Sequence, residues 1–220
     1  MTSGTARVVD PYVCAGCGEL LEAPVVVDRG GDAVLVCGCG HRQPFRRLPL
    51  FALTGPSGTG KSTVGRLLSA ELSDRVVVLE QDLLWSAGLR DPADDFRQFR
   101  AAWLRLAGMI HQSGRPVVLC GTVVPPEFET LPERAFVGQI HYLALTCDRD
   151  VLAARLRARP SWRAWDEERI AETLDFTDWL HETAPTLNPP VALLDTTDQP
   201  ADHTAREVAY WVASGLPIAP

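Results

Sequence analysis

Residues 55–62 read Gly-Pro-Ser-Gly-Thr-Gly-Lys-Ser, between an apolar run from Leu50 to Leu53 and a helix-like stretch from Ser62 to Leu72. Glycines at 55, 58 and 60 let backbone N–H groups curl around an anion. A helix starting immediately afterwards turns its partly positive end toward the same point. Strand, Gly-rich turn and helix in that order form a phosphate cradle, the Walker A pattern in full. Its candidate nucleotide-binding residues are Gly55, Ser57, Gly58, Thr59, Gly60, Lys61, Ser62 and Thr63. Lys61 would bridge the β- and γ-phosphates of a nucleoside triphosphate, and Ser62 would ligate Mg²⁺. Of the 21 basic residues only Lys61 is a lysine, so the chain places its one flexible ammonium where such a loop requires it.

Length and composition bound what surrounds this loop. A chain of 220 residues holds one α/β domain and a small appendage, and 46% hydrophobic content with 22% charge is that of a folded globular protein. No apolar run is long enough to span a bilayer, and the N-terminal decapeptide lacks the apolar core of a secretory signal. These features predict a cytoplasmic protein without a membrane partner. A net charge of -7 argues against a nucleic-acid backbone as the main partner.

The chain divides near residue 47. Residues 1–47 hold four of the six cysteines and two short β-like runs, Val25 to Val27 and Ala33 to Val36, around a turn that reads as a hairpin. Residues 48–220 alternate apolar runs with amphipathic stretches, as a parallel sheet wrapped by helices does. Strands are predicted near 50–54, 76–80, 116–120, 139–145 and 191–195. Helices are predicted after the phosphate loop, from Asp91-Pro92 to about Gly114, from the Asp148 cap toward Pro160, and over 166–183 and 201–213.

The phosphate loop and its flanks resemble the P-loop kinase superfamily that includes shikimate, gluconate and adenylate kinases and the chloramphenicol phosphotransferases. The resemblance covers about residues 50–213. It implies a three-layer α/β sandwich on a five-stranded parallel sheet in the order 2-3-1-4-5, an arginine-bearing lid, and transfer of phosphate from ATP to a small acceptor.

In those kinases a carboxylate at the end of the second strand orients the acceptor hydroxyl and anchors Mg²⁺, a role that falls first to Asp82 and second to Glu80. A helix cap is the plainer alternative for Asp82. The third strand reads Val-Val-Leu-Cys-Gly, without the terminal acid that ATPases use to activate water, and this favours transfer over hydrolysis. Gly121 and Thr122 then open a segment through Glu127 that would line the acceptor pocket. Arg155, Arg159 and Arg163 step by four, and resemble the arginines of the lid; a solvated arginine face is the alternative. Thr196 follows the fifth strand where the resembled kinases hold adenine, although the segment also reads as a helix-capping loop.

Cys14, Cys17, Cys37 and Cys39 lie on two Gly-rich turns separated by the predicted hairpin. Such turns direct thiolates at one ion, and a tetrahedral structural Zn²⁺ is the natural reading, with disulfides as the alternative. Because the second pair is C-x-C, His41 is a replacement candidate. The whole reads as an ATP- and Mg²⁺-dependent kinase of a nucleoside-, nucleotide-, sugar- or antibiotic-like small molecule. Two further readings are a polynucleotide end kinase, whose nucleic-acid reader would be the zinc module with its basic stretch His41 to Arg47, and a non-catalytic ATP sensor.

Overall fold

The computed structural model describes residues 10–21, 25–29, 32–89 and 92–217. The chain first forms a three-stranded antiparallel sheet, β1 (Val25–Arg29), β2 (Asp32–Val36) and β3 (Arg42–Arg46), in that order. The hairpin is the one expected, whereas β3 occupies the stretch read as a basic patch. Its alternation was hidden because one of its two inward residues is polar: Gln43 and Phe45 are buried, flanked by exposed Arg42 and Pro44. The Gln43 amide is satisfied by the N-terminal turn, accepting from the Ala15 N–H at 2.9 Å and donating to the Val13 carbonyl at 3.1 Å.

The second sheet contains β4 (Leu50–Thr54), β5 (Val77–Glu80), β6 (Val117–Cys120), β7 (Ile140–Thr146) and β8 (Val191–Asp195). All neighbours are parallel and the spatial order is β5-β6-β4-β7-β8, the expected 2-3-1-4-5 arrangement. Every residue of β4 is buried, because helices cover both faces of the sheet and the central strand has no polar side to present. The helices are α1 (Lys61–Glu71), α2 (Asp82–Ser86), α3 (Arg97–His111), α4 (Pro125–Phe128), α5 (Arg149–Arg157), α6 (Glu167–Thr183) and α7 (Ala201–Gly215). One core packs Trp103, Leu104 and Phe128 against the sheet; a second packs Val64 and Leu68 of α1 and Val208 and Val212 of α7 against the other face. Asp148 caps α5 as expected, accepting from the N–H groups of Asp150 and Val151 at 2.9 and 3.1 Å.

One helix start differs from expectation. Pro92 begins a 3₁₀ turn, not the long helix, and the backbone then passes through left-handed φ values of 53° at Asp95 and 56° at Phe96 before α3 begins at Arg97. Left-handed backbone at non-glycine residues costs on the order of 1 kcal/mol or more each. At this bend the Phe96 ring packs on Trp85, with centroids 5.1 Å apart. The expected cap, Asp91, lies outside the described residues. Among the described residues no helix is long and apolar enough to cross a membrane.

Candidate functional site

The carboxyl ends of β4, β5 and β6 open into a cavity of about 1090 Å³, the position open parallel sheets give their ligands. The phosphate loop forms one side, contributing Ser57, Gly58, Gly60, Lys61, Ser62 and Thr63. Gly55 has φ 121°, and a Cβ there would strike the Leu145 carbonyl oxygen at 2.2 Å, so the loop can leave β4 only as glycine. Gly60 has φ 100° and immediately precedes α1; a Cβ on it would meet nothing within 4 Å. That space faces the N-terminus of an eleven-residue helix with no acid in its first turn, a setting built for an anion. Thr59 sits behind the cradle, its hydroxyl donating to the Pro56 carbonyl at 2.9 Å.

Lys61 curls over the loop, its ammonium donating to the carbonyls of Gly55 at 2.6 Å and Pro56 at 2.8 Å. Burial pulls its pKa down to about 8, against the opposing pull of Glu80 and Asp82. Both acids line the cavity. Glu80 is the last residue of β5; burial raises its pKa, and the nearby Ser62 side chain and Lys61 hold the rise back. Asp82 is the first residue of α2. Ser62 and Glu80 place a hydroxyl and a carboxylate on the same cavity wall beside the cradle, a hard-oxygen set that fits Mg²⁺. Gln81 between the acids is buried, and its Oε1 accepts from the Thr122 N–H at 2.8 Å. Gly121 gives it room, since a Cβ there would meet that oxygen at 2.2 Å. Gly121 and Thr122 both line the cavity.

The remaining wall, apart from Glu127, carries residues that the sequence did not assign to the site. Trp85, Phe96 and Phe99 form an aromatic cluster, with Trp85 5.1 Å from Phe96 and 5.5 Å edge-on from Phe99. Beside it Arg100 donates to Glu127 at 2.6 Å, Arg100 being 12% and Glu127 30% exposed. The three-residue step from Phe96 to Phe99 fits the inward face of the helix predicted there, and such a step reads equally well as core. Glu127 falls within the segment expected to line the pocket, whereas Val123, Val124 and Pro125 of the same segment are buried.

Arg159 and Arg163 line the cavity and Arg155 is not among its lining residues. Arg159 lies 5.2 Å over the Trp165 ring and Arg163 lies 4.8 Å over Trp162. Arg169, a further cavity residue, stacks on Trp165 at 4.5 Å. Arg155 shares a helix with Arg157, before the chain turns at Pro160, and its guanidinium is held by the carbonyls of Thr196 at 3.0 Å and Thr197 at 2.9 Å. It braces the loop after β8. Thr196 itself turns inward, buried, so its hydroxyl serves the backbone.

In the N-terminal module the four sulfurs of Cys14, Cys17, Cys37 and Cys39 all lie within 4.8 Å of one another. Cys14 and Cys39 are 3.7 Å apart, as are Cys17 and Cys37. Zinc–thiolate bonds of about 2.3 Å in a tetrahedron give edges of about 3.8 Å, so the set fits Zn²⁺; a disulfide would need about 2.05 Å. All four thiols are free. His41 lies over Gly16, where a Cβ would meet its ring at 2.7 Å, and is outside the four-sulfur set.

The sequence profile of a family described as an AAA domain matches residues 52–175. A shikimate kinase from Chromohalobacter salexigens is 33% identical over 140 residues, covering 58% of this chain and 73% of that protein. A solved gluconokinase from Sinorhizobium meliloti 1021 superimposes with a TM-score of 0.55 at 22% identity, over 77% of this chain and 94% of that one. The AAA description speaks to the shared phosphate-loop scaffold, since β6 ends in Cys120 without a water-activating acid. With loop, strand order and relatives agreeing, the chain belongs to the P-loop kinase superfamily, the ATP-dependent phosphotransferases of small molecules.

Proposed function

We propose that this kinase transfers the γ-phosphate of ATP to a hydroxyl of a small, ring-bearing acceptor bound between Asp82 and the wall of Trp85, Phe96, Phe99, Arg100 and Glu127. The observation that carries the reading is the single cavity that joins the phosphate cradle, two carboxylates and that amphipathic wall. Backbone amides of 57–62 and Lys61 hold the phosphates, and the guanidinium groups of Arg159 and Arg163 reach the cavity to neutralise charge that spreads over the transferring phosphoryl oxygens. Asp82 accepts the hydrogen bond of the attacking hydroxyl and orients it, later taking its proton. Ser62 and Glu80 would hold Mg²⁺, which supplies charge neutralisation across the β- and γ-phosphates. The aromatic wall excludes water, which disfavours hydrolysis. Arg155 and Thr196 act from behind, by shaping the loop that follows β8. Structural Zn²⁺ on Cys14, Cys17, Cys37 and Cys39 completes the protein.

The test is ADP release measured with a panel of shikimate, gluconate, other sugars, nucleosides, aminocyclitols and a 5′-hydroxyl oligonucleotide. Release that depends on one small-molecule class, and is lost in Asp82→Asn with ATP binding retained, supports the reading. Release with the oligonucleotide alone replaces it by end-kinase activity. ATP binding without release for any compound replaces it by a sensor.

A further inference from the structure

Tyr12, two residues before the first cysteine, leaves the small module and enters the kinase core. Its hydroxyl donates to the Leu104 carbonyl of α3 at 3.0 Å, and its ring packs on Phe136 with centroids 4.0 Å apart. At Gly108, the next turn of α3, a Cβ would meet the Tyr12 hydroxyl at 2.6 Å. A further contact is at the helix end, where Gln112 accepts from the Arg46 N–H at 2.9 Å and donates to the Arg46 carbonyl at 3.0 Å. The module is sewn to α3 at two heights.

What α3 carries at its other end gives these contacts their meaning. Arg100 of α3 pairs with Glu127 of α4 inside the cavity at 2.6 Å. Five residues on, Arg105 pairs with Glu133 at 2.9 Å, and its guanidinium lies 5.3 Å over the Tyr12 ring. Glu133 and Phe136 belong to the 3₁₀ turn that follows α4. The two ion pairs are successive rungs between the same two segments, and Tyr12 packs against the second, farther along α3 from the cavity. We propose that the four-cysteine module is a metal-dependent brace for the acceptor wall, with Tyr12 as the positioning residue that fixes α3 against residues 125–136 and thereby the spacing of Arg100 and Glu127. This rests on reading the cysteines as zinc ligands and that wall as the acceptor site. A module this small lacks the core to fold by itself, so its ion supplies the order. Tyr12 shares that order directly: the Leu21 N–H donates to its carbonyl at 2.7 Å, and Cys14 follows two positions later.

The test is hydrogen–deuterium exchange on the full chain, with zinc content measured alongside. Wild-type protein, protein stripped by a chelator under reducing conditions, and the zinc-loaded variants Tyr12→Phe and Tyr12→Ala are compared, with binding of a fluorescent ATP analogue as the control. One zinc per chain is expected in wild type and both variants. In stripped protein and in Tyr12→Ala, exchange in 97–105 and 125–136 rises about tenfold while 50–64 and analogue affinity stay as in wild type; Tyr12→Phe, which keeps the ring, falls between. Wild-type exchange in those two segments for Tyr12→Ala overturns the brace, and so does a rise spread evenly over the core. A wild-type chain that binds no zinc overturns its metal dependence, while loss of analogue binding in wild type would strike the kinase reading alone.

Discussion

The hydroxyl of Thr196, in the loop after β8, is shared between the carbonyls of Thr146 at 2.8 Å and Thr59 at 3.2 Å. Thr59 is inside the phosphate loop and Thr146 ends β7, so one buried side chain ties the cradle to two strand ends. The guanidinium of Arg155 holds the same loop from the other side through the carbonyls of Thr196 and Thr197.

Thr196→Val keeps the shape and removes the hydroxyl, leaving two buried carbonyls without this donor at a cost of about 1–2 kcal/mol. Part of that cost falls on the cradle, so the Kd for MgATP should rise several-fold while the acceptor side is unchanged. Titration with a fluorescent ATP analogue measures it. An affinity equal to wild type would mean that the tie contributes to stability alone.

The two acids of the β5 end should separate by readout. Glu80 shares the cavity wall with Ser62, so Glu80→Gln should raise the Mg²⁺ concentration needed for half-maximal rate about tenfold and lower kcat by 10²-fold or more. Asp82→Asn should lower kcat by a similar factor with Mg²⁺ and ATP dependence unchanged. Steady-state rates over a Mg²⁺ series distinguish them. If Asp82→Asn shifts the Mg²⁺ dependence and Glu80→Gln does not, the two assignments are exchanged.

The scaffold was legible because its signals are local. Each of the strands β4 to β8 is a short apolar run bounded by turn residues, and the phosphate loop announces strand, turn and helix together. The acceptor wall was not legible, because Trp85, Phe96 and Phe99 are apolar residues of the kind that also fill a core, and they come together from α2, from the turn before α3 and from α3 itself. Arg155 shows the converse limit. Its four-residue step to Arg159 is real, but α5 ends between them and the two guanidinium groups go to different places. Sequence spacing also could not show that Gln43 faces inward, since its partners, Ala15 and Val13, come from a separate turn.

Lys61 makes nucleotide affinity depend on pH above neutrality. Burial lowers its pKa to about 8, and the phosphates of a bound nucleotide should raise it again. The protonated form is therefore the one that binds. Affinity should be flat below pH 8 and fall as pH rises above it, by up to about tenfold per unit, with proton uptake on binding. Calorimetric titrations at pH 8.5 in two buffers of different ionisation enthalpy measure that uptake. Equal apparent enthalpies in the two buffers would show that Lys61 is already fully charged in the free protein.

His111 should set an acid limit on stability. It occupies the last turn of α3, where a cation would be favoured by the helix dipole, yet it is fully buried and burial lowers its pKa to about 4. The unfolded chain, with an ordinary value of about 6.5, binds a proton in the interval between them that the native state refuses. Stability thus falls as pH drops from about 6.5 toward 4, by roughly 2–3 kcal/mol between pH 7 and 4.5 from this group alone. Glu80 and Glu127 have raised pKa values and contribute with the opposite sign, so total stability is not a clean readout. The difference between wild type and His111→Leu is. Urea unfolding of both proteins at pH 7 and 4.5 should show the wild type losing more stability than the variant by that amount. Parallel losses in the two proteins would place the proton on His111 in the native state as well, and remove it as the source of acid sensitivity.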